Sequence, residues 1–215
     1  MAEETPQKPR KFVLDADVGR FALTGGDASG TISDAPVSRM DRIRAAFGFT
    51  HEKQKTNPAA WISLAKSFHA AARVLNVHSE DIPSDTRPVA LNAALSLELL
   101  FKAILTKNKC EFPKSESGHD LRALCIAANV AANKAQLATL ELMTAEFVWA
   151  ARYPVPNKES KFRDFHTGIF ERHVIRSRTG NVGTVRANPD SFPNWENYSK
   201  IWNLAVAEFE PPSGS

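Results

Sequence analysis

The chain has 215 residues, 43% of them apolar and 24% charged, with a formal net charge of +3. These are the proportions of a globular protein with room for a sizeable core. They exclude a disulfide scaffold, since only Cys110 and Cys125 are present, and the small net charge does not by itself announce a nucleic-acid binder. The longest apolar stretch, "VALNAALSLELLFKAIL", carries Asn92, Ser96, Glu98 and Lys102, which suits a core helix better than a membrane span. The N-terminal residues show no hydrophobic region of the signal-peptide type, so a cytoplasmic location with no membrane association is expected.

Residues 1–11, rich in Pro, Glu and Lys, predict a disordered tail. Residues 12–56 read as an irregular extension: "KFVLDADVGRFAL" suits a short strand or ordered arm, and "TGGDASGTISDAPVS" suits a loop. Within the same extension "SRMDRIRAAFGF" suits one short helix with Ser38 as its N-cap.

A helical domain is expected over residues 57–210, followed by a short tail over 211–215. Asn57 as N-cap and Pro58 at the first helical position open a helix to about residue 76, with apolar residues at spacings of three and four. The polar turn "SEDIPSDTR" follows, and Pro88 begins a second helix running to about residue 107. Its apolar residues surround the whole circumference, so other helices must enclose it. After the loop "KCEFPKSESG", the segment "HDLRALCIAANVAA" starts a third helix capped by Ser117 or Asp120. "KAQLATLELMTAEFVWAARY" predicts a fourth, stopped by Pro154 and Pro156. "RHVIRSRTGNVGTVRAN" alternates β-branched and basic residues about a Gly-Asn turn, the pattern of a small hairpin. A last helix from about Asn194 carries Trp195, Tyr198, Ile201, Trp202, Ala205 and Phe209 as its buried stripe. The expected fold is therefore all-α, a bundle of four to five helices with an irregular N-terminal arm and a small β-hairpin.

The polar residues inside this pattern supply the candidate sites. Glu98 and Lys102 stand one turn apart on one helix face, in the order that favours an ion pair. If buried, the pair needs further hydrogen-bond partners, because an uncompensated buried charge costs several kcal/mol. His119 and Asp120, at the start of the next helix, are the nearest candidates in sequence. Asp120 suits a helix cap, and His119 can donate, accept or carry a proton near neutral pH. Arg152 suits either a cation at a helix C-terminus or a phosphate fork, with Tyr153 half in the core or stacked on a ligand. A basic segment including Lys161, Arg163, His166, Arg172, His173, Arg176 and Arg178 suits a solvated loop or a track for a nucleic-acid backbone. His166 and His173 have no partners at metal-ligand spacing, and the cysteines fit neither a CxxC pair nor a zinc knuckle, so no metal and no cofactor are assigned. There is no GxSxG elbow, no Walker A sequence and no GxGxxG after a strand.

"ALNAALSLELLFKAIL", then "GHDLRAL", then a helix ending in "RYP" resembles bacterial members of the HEPN superfamily, the higher eukaryotes and prokaryotes nucleotide-binding domain. The match spans about residues 88–154. The resemblance implies an all-α, usually dimeric bundle of a kind found in RNA-cutting toxins, anti-phage defence systems and nucleotide-binding regulators. It makes RNA or a nucleotide the expected partner, with Glu98, Lys102, Asp120, Tyr153 and Arg163 as candidate binding residues. His119, Arg152 and His166 are the candidates should the chain be catalytic. The nucleases of the family carry an Arg, four to six residues, then a His after the central helix; here that spacing occurs only at Arg44–His51 and Arg73–His78, both before it. A non-catalytic interaction bundle, and a metal-independent ribonuclease with a non-standard site, are the two other readings.

Overall fold

The structure is a computed structural model, and it describes residues 38–81, 87–114, 118–145, 159–164, 167 and 170–210. By its contacts the chain divides into Met1–Arg39 and Met40–Ser215. Apart from Ser38 and Arg39, the described residues belong to the second unit. The expected tails, most of the N-terminal arm, and the segment that carries Arg152, Tyr153 and His166 lie outside the described residues.

The described residues are mostly helical. Five helices make the bundle: α3 (Pro58–Val77), α4 (Arg87–Lys107), α5 (Leu121–Ala127), α6 (Lys134–Ala145) and α8 (Trp195–Phe209). Three short ones accompany them: α1 (Arg39–Ala46), α2 (His51–Lys55) and α7 (Glu159–Asp164). A two-stranded antiparallel sheet, β1 (Val174–Thr179) and β2 (Val182–Ala187), precedes α8.

The starts of the helices follow from their caps. Asn57 accepts from the Ala59 amide at 3.0 Å with Pro58 behind it, and Asn194 accepts from the Asn197 amide at 2.8 Å. Asn133 and Gln136 form a reciprocal capping box at the head of α6, with bonds of 2.8 and 2.9 Å. Asp120 caps α5 through the Ala123 amide at 2.9 Å, as its sequence position suggests.

Three helices stop in the same way. Gly48, Lys109 and Asn129 adopt φ of +78°, +55° and +55°. In each case the following amide reaches back five residues, as in Phe49 to the Arg44 carbonyl at 2.7 Å and Val130 to the Cys125 carbonyl at 3.2 Å. The last of these ends α5 sooner than the run "CIAANVAA" suggests, because Asn129 turns the chain where the neighbouring alanines would have continued it.

Helix α4 touches α3, α5, α6 and α8. Eleven of its residues are buried, from Ala93 to Leu105, and they occupy every face, as the absence of a polar stripe predicts. By length and composition α4 could cross a membrane, yet 61% of its apolar window is buried inside the fold. Against it α3 presents Ala65 and Ala72, both fully buried, whose small side chains let the two backbones approach closely. α8 contributes Tyr198, Ile201, Trp202 and Ala205 from the expected stripe, with Trp195 and Phe209 half-buried at its ends.

The hairpin turns at Gly180-Asn181, where Gly180 has φ +60° and Thr179 pairs with Val182. Its root is held by His173, which is 1% exposed and donates Nδ1–H to the Ser191 carbonyl and hydroxyl, each at 3.1 Å. Thr139 of α6 donates to the same carbonyl at 3.0 Å. His173 is thus a buried brace and not a member of an exposed basic track.

Candidate functional site: a polar cluster on the central helix

Glu98 lies midway along α4 and is 3% exposed. Lys102, one turn on, donates from Nζ to its Oε1 at 2.6 Å, and His119 donates Nδ1–H to both carboxylate oxygens at 3.0 Å each. The buried carboxylate therefore has a full cation and a second donor, which is what makes its burial tolerable. The surrounding geometry fixes both partners. His119 sits between Gly118, whose φ of +66° favours glycine, and Asp120, whose carboxylate is committed to the α5 cap. The Leu121 amide donates to Thr144 Oγ1 at 3.0 Å, which holds the start of α5 against α6.

Lys102 has a second set of neighbours. Its ammonium stands 6.0 Å from the centroid of the Trp61 ring and 5.7 Å from that of Phe112. The two rings meet edge to face at 5.7 Å, and Trp61 Nε1 donates to the Lys55 carbonyl at 3.0 Å. One ion pair thereby ties α4 to the head of α5, to the loop bearing Phe112, and through Trp61 to α2 and α3. A groove of about 510 Å³ opens beside it, lined by His51, Gln54, Lys55, Trp61, Leu64 and Phe112.

Of the residues singled out in the sequence, Glu98, Lys102 and His119 converge. Asp120 is adjacent but engaged as a cap, and Arg163 is exposed on α7, where its carbonyl accepts from Thr167 at 2.8 Å. The neighbouring basic segment is partly neutralised: Arg172 pairs with Glu141 at 2.8 Å and Arg176 Nε with Glu171 at 3.0 Å. The Arg176 guanidinium holds the Glu171 carboxyl below its usual range. At the formal Arg-to-His spacing nearer the N-terminus, Arg44 pairs with Asp41 at 3.7 Å and His51 with Glu52 at 3.1 Å. Among the described residues no group of three or more His, Cys, Asp or Glu could hold a metal ion. Cys110 and Cys125 are free thiols, and burial pushes that of Cys125 up to about 11.

A second polar chain has no local trace in the sequence. His69 of α3 lies flat on Trp202, with ring centroids 4.2 Å apart and planes 10° from parallel. Its Nδ1 is 2.7 Å from Tyr198 Oη, which is 2.7 Å from Ser96 Oγ, which donates to the Ala93 carbonyl at 2.7 Å. Burial raises the Tyr198 phenol, while burial and the nearby Arg73 charge lower the His69 imidazole. The consistent proton order runs from His69 Nδ1–H through the Tyr198 and Ser96 hydroxyls to the carbonyl. A cleft of about 420 Å³ lies alongside, with Val89, Ala93, Met143, Phe192, Trp195 and Tyr198 among its walls.

No protein-family model, curated protein or solved structure matches the chain. Fold and site define a helical bundle whose central helix carries a buried, doubly compensated carboxylate.

Proposed function

We propose that the chain is an HEPN-like module that binds RNA or a nucleotide, acting as a homodimer in bacterial defence or stress regulation, and that it binds RNA without cutting it. The supporting observation is the meeting of Glu98 and Lys102, from "LELLFKAIL", with His119, from "GHDL", although a loop separates the two segments. Three of the residues that carry the resemblance in sequence thus form one cluster in space. Binding without cleavage is favoured by the state of that cluster. Lys102 is held by Glu98 and two aromatic rings, so it is not arranged as a phosphate clamp beside His119, whose Nδ1 proton goes to Glu98.

One observation favours a second reading. Both oxygens of Glu98 are occupied from within the fold, which is also what a non-catalytic protein-interaction bundle would show. Thermal melting with single-stranded RNA, ATP and GTP, alongside incubation with total RNA in EDTA, separates the readings. The proposal predicts a raised melting temperature with RNA or a nucleotide, and intact RNA. No shift with any of them favours the interaction bundle. Cleavage in EDTA that is abolished by His119→Ala in a folded protein identifies a ribonuclease.

A further inference from the structure

We infer that α1, α2 and the groove beside them form a binding site for single-stranded RNA, with Arg42, Lys53 and Lys55 holding phosphates and Phe47, Phe49 and Trp61 stacking bases. This deepens the function proposed above and rests on it, but it places the contact surface away from the basic segment near the hairpin.

The first observation is an excess of exposed aromatic surface where none is expected. No residue of α1 is buried, and Phe47 and Phe49 beyond its end are 75% and 65% exposed. They do not hang on a loose tail. Gly48 at φ +78° turns the chain between them, and the Phe49 amide closes the end of α1 on the Arg44 carbonyl at 2.7 Å. Gln54 Nε2 donates to the Gly48 carbonyl at 3.1 Å, which fastens the turn to α2. The Trp61 indole donates to the Lys55 carbonyl, which fastens α2 to α3. Two large aromatic side chains are therefore presented to water from a braced backbone, an arrangement that costs stability unless something covers it.

The second observation is charge. Asp41 and Glu52 pair with Arg44 and His51 respectively, whereas Arg42, Lys53 and Lys55 are exposed and make no ion pair among the described residues. Cations flank the aromatic groups on both sides along this arm, and that is the composition of a surface that tracks a phosphate backbone while bases stack.

The third is the groove. Trp61 and Phe112 form an edge-to-face floor, and His51, Gln54 and Lys55 form a rim able to bond a base edge or a phosphate. The Lys102 ammonium beside the floor is neutralised by Glu98, so it does not repel ligand cations or draw a phosphate into the core.

Single strands fit this surface and duplexes do not, because stacking on phenylalanine needs bases that are splayed out. Met40 and Ile43 share the α1 face of Phe47, but an eight-residue helix is short for lying in a membrane, and a concave aromatic slot serves a planar ring better than a lipid tail.

Fluorescence anisotropy with the full chain and a labelled uridine-rich RNA of about twelve nucleotides tests the site, against F47A/F49A and K53Q/K55Q variants whose melting curves match that of the unaltered chain. The expected result is affinity weakened about tenfold or more by each pair, with the lysine pair also flattening the salt dependence by about 1.4 in the log–log slope. The lysine pair keeps the test standing if the phenylalanine pair disturbs α1. RNA binding that both variants leave unchanged overturns this site while sparing the proposed function. Failure of the unaltered chain to bind RNA overturns the site, and with nucleotides also inactive it overturns both. Binding to phosphatidylserine vesicles that RNA cannot compete away makes the arm a membrane surface and overturns the site.

Discussion

Glu98 is held by charge and geometry together, and its replacement should show it. Glu98→Gln keeps the shape but leaves Lys102 without its counter-charge in a nearly closed setting, so a loss of about 1–3 kcal/mol is expected in urea unfolding. A loss near zero would mean that the pair is solvated in solution. The pairing of Glu98 with Lys102 is legible from the sequence because helical spacing is local, and His119 is legible as the nearest chemical partner. The aromatic wall around Lys102 is not legible, since Trp61 and Phe112 reach it only through the packing of α3 and the loop after α4. The same limit hides His69, Ser96 and Tyr198, three residues on three helices joined only by tertiary contact.

Two imidazoles, half-buried His69 and buried His173, set an expectation for pH. His69 and His173 both lie below the ordinary 6.5, each chiefly through burial. The unfolded chain therefore takes up protons near 6.5 that the fold resists until lower pH. Their contribution is fully present above 6.5 and is lost as pH falls through that value toward the lowered folded pKa. Melting temperature should fall from pH 7 to pH 5, and His173→Asn, which retains a donor toward Ser191, should flatten part of that slope. A melting temperature that rises on acidification over this range would contradict the assignment.

At the scale of elements, caps and stops decide the boundaries. Asn57, Pro58 and Asn194 are legible because their chemistry is local, and Gly180-Asn181 marks the hairpin for the same reason. α2 and α7 are not legible, because five or six polar residues carry no apolar period to read. Asn57→Ala should cost about 1 kcal/mol, since it strips the cap from the helix that packs most extensively on α4. Lys109 offers the opposite test. A lysine at φ +55° occupies a conformation suited to glycine, so Lys109→Gly should raise stability by about 0.5–1 kcal/mol in urea unfolding. A loss of stability on that substitution would show that the lysine side chain makes compensating contacts.

For the whole molecule, the bundle about α4 is legible from the distribution of apolar residues alone, because a helix apolar on every face must be enclosed. Where a ligand would sit is less so. The sequence directs attention to the basic stretch before and within the hairpin, but Glu141 and Glu171 answer two of its arginines and His173 is buried. Arg178 and Arg186 of the hairpin also make no ion pair among the described residues, but unpaired cations occur together with exposed aromatic rings on α1, α2 and the turn between them. Proximity of aromatic residues to cations in the string "RIRAAFGFTHEKQK" could have signalled this, but that signal gains weight only once the exposure of Phe47 and Phe49 is known.

The most direct measurement is the affinity of the full chain for a single-stranded RNA as a function of potassium chloride concentration. The three cations of the proposed site predict measurable binding at low salt that weakens with a log–log slope of about −2. Absence of binding at low salt, or an affinity that salt does not change, would contradict the account.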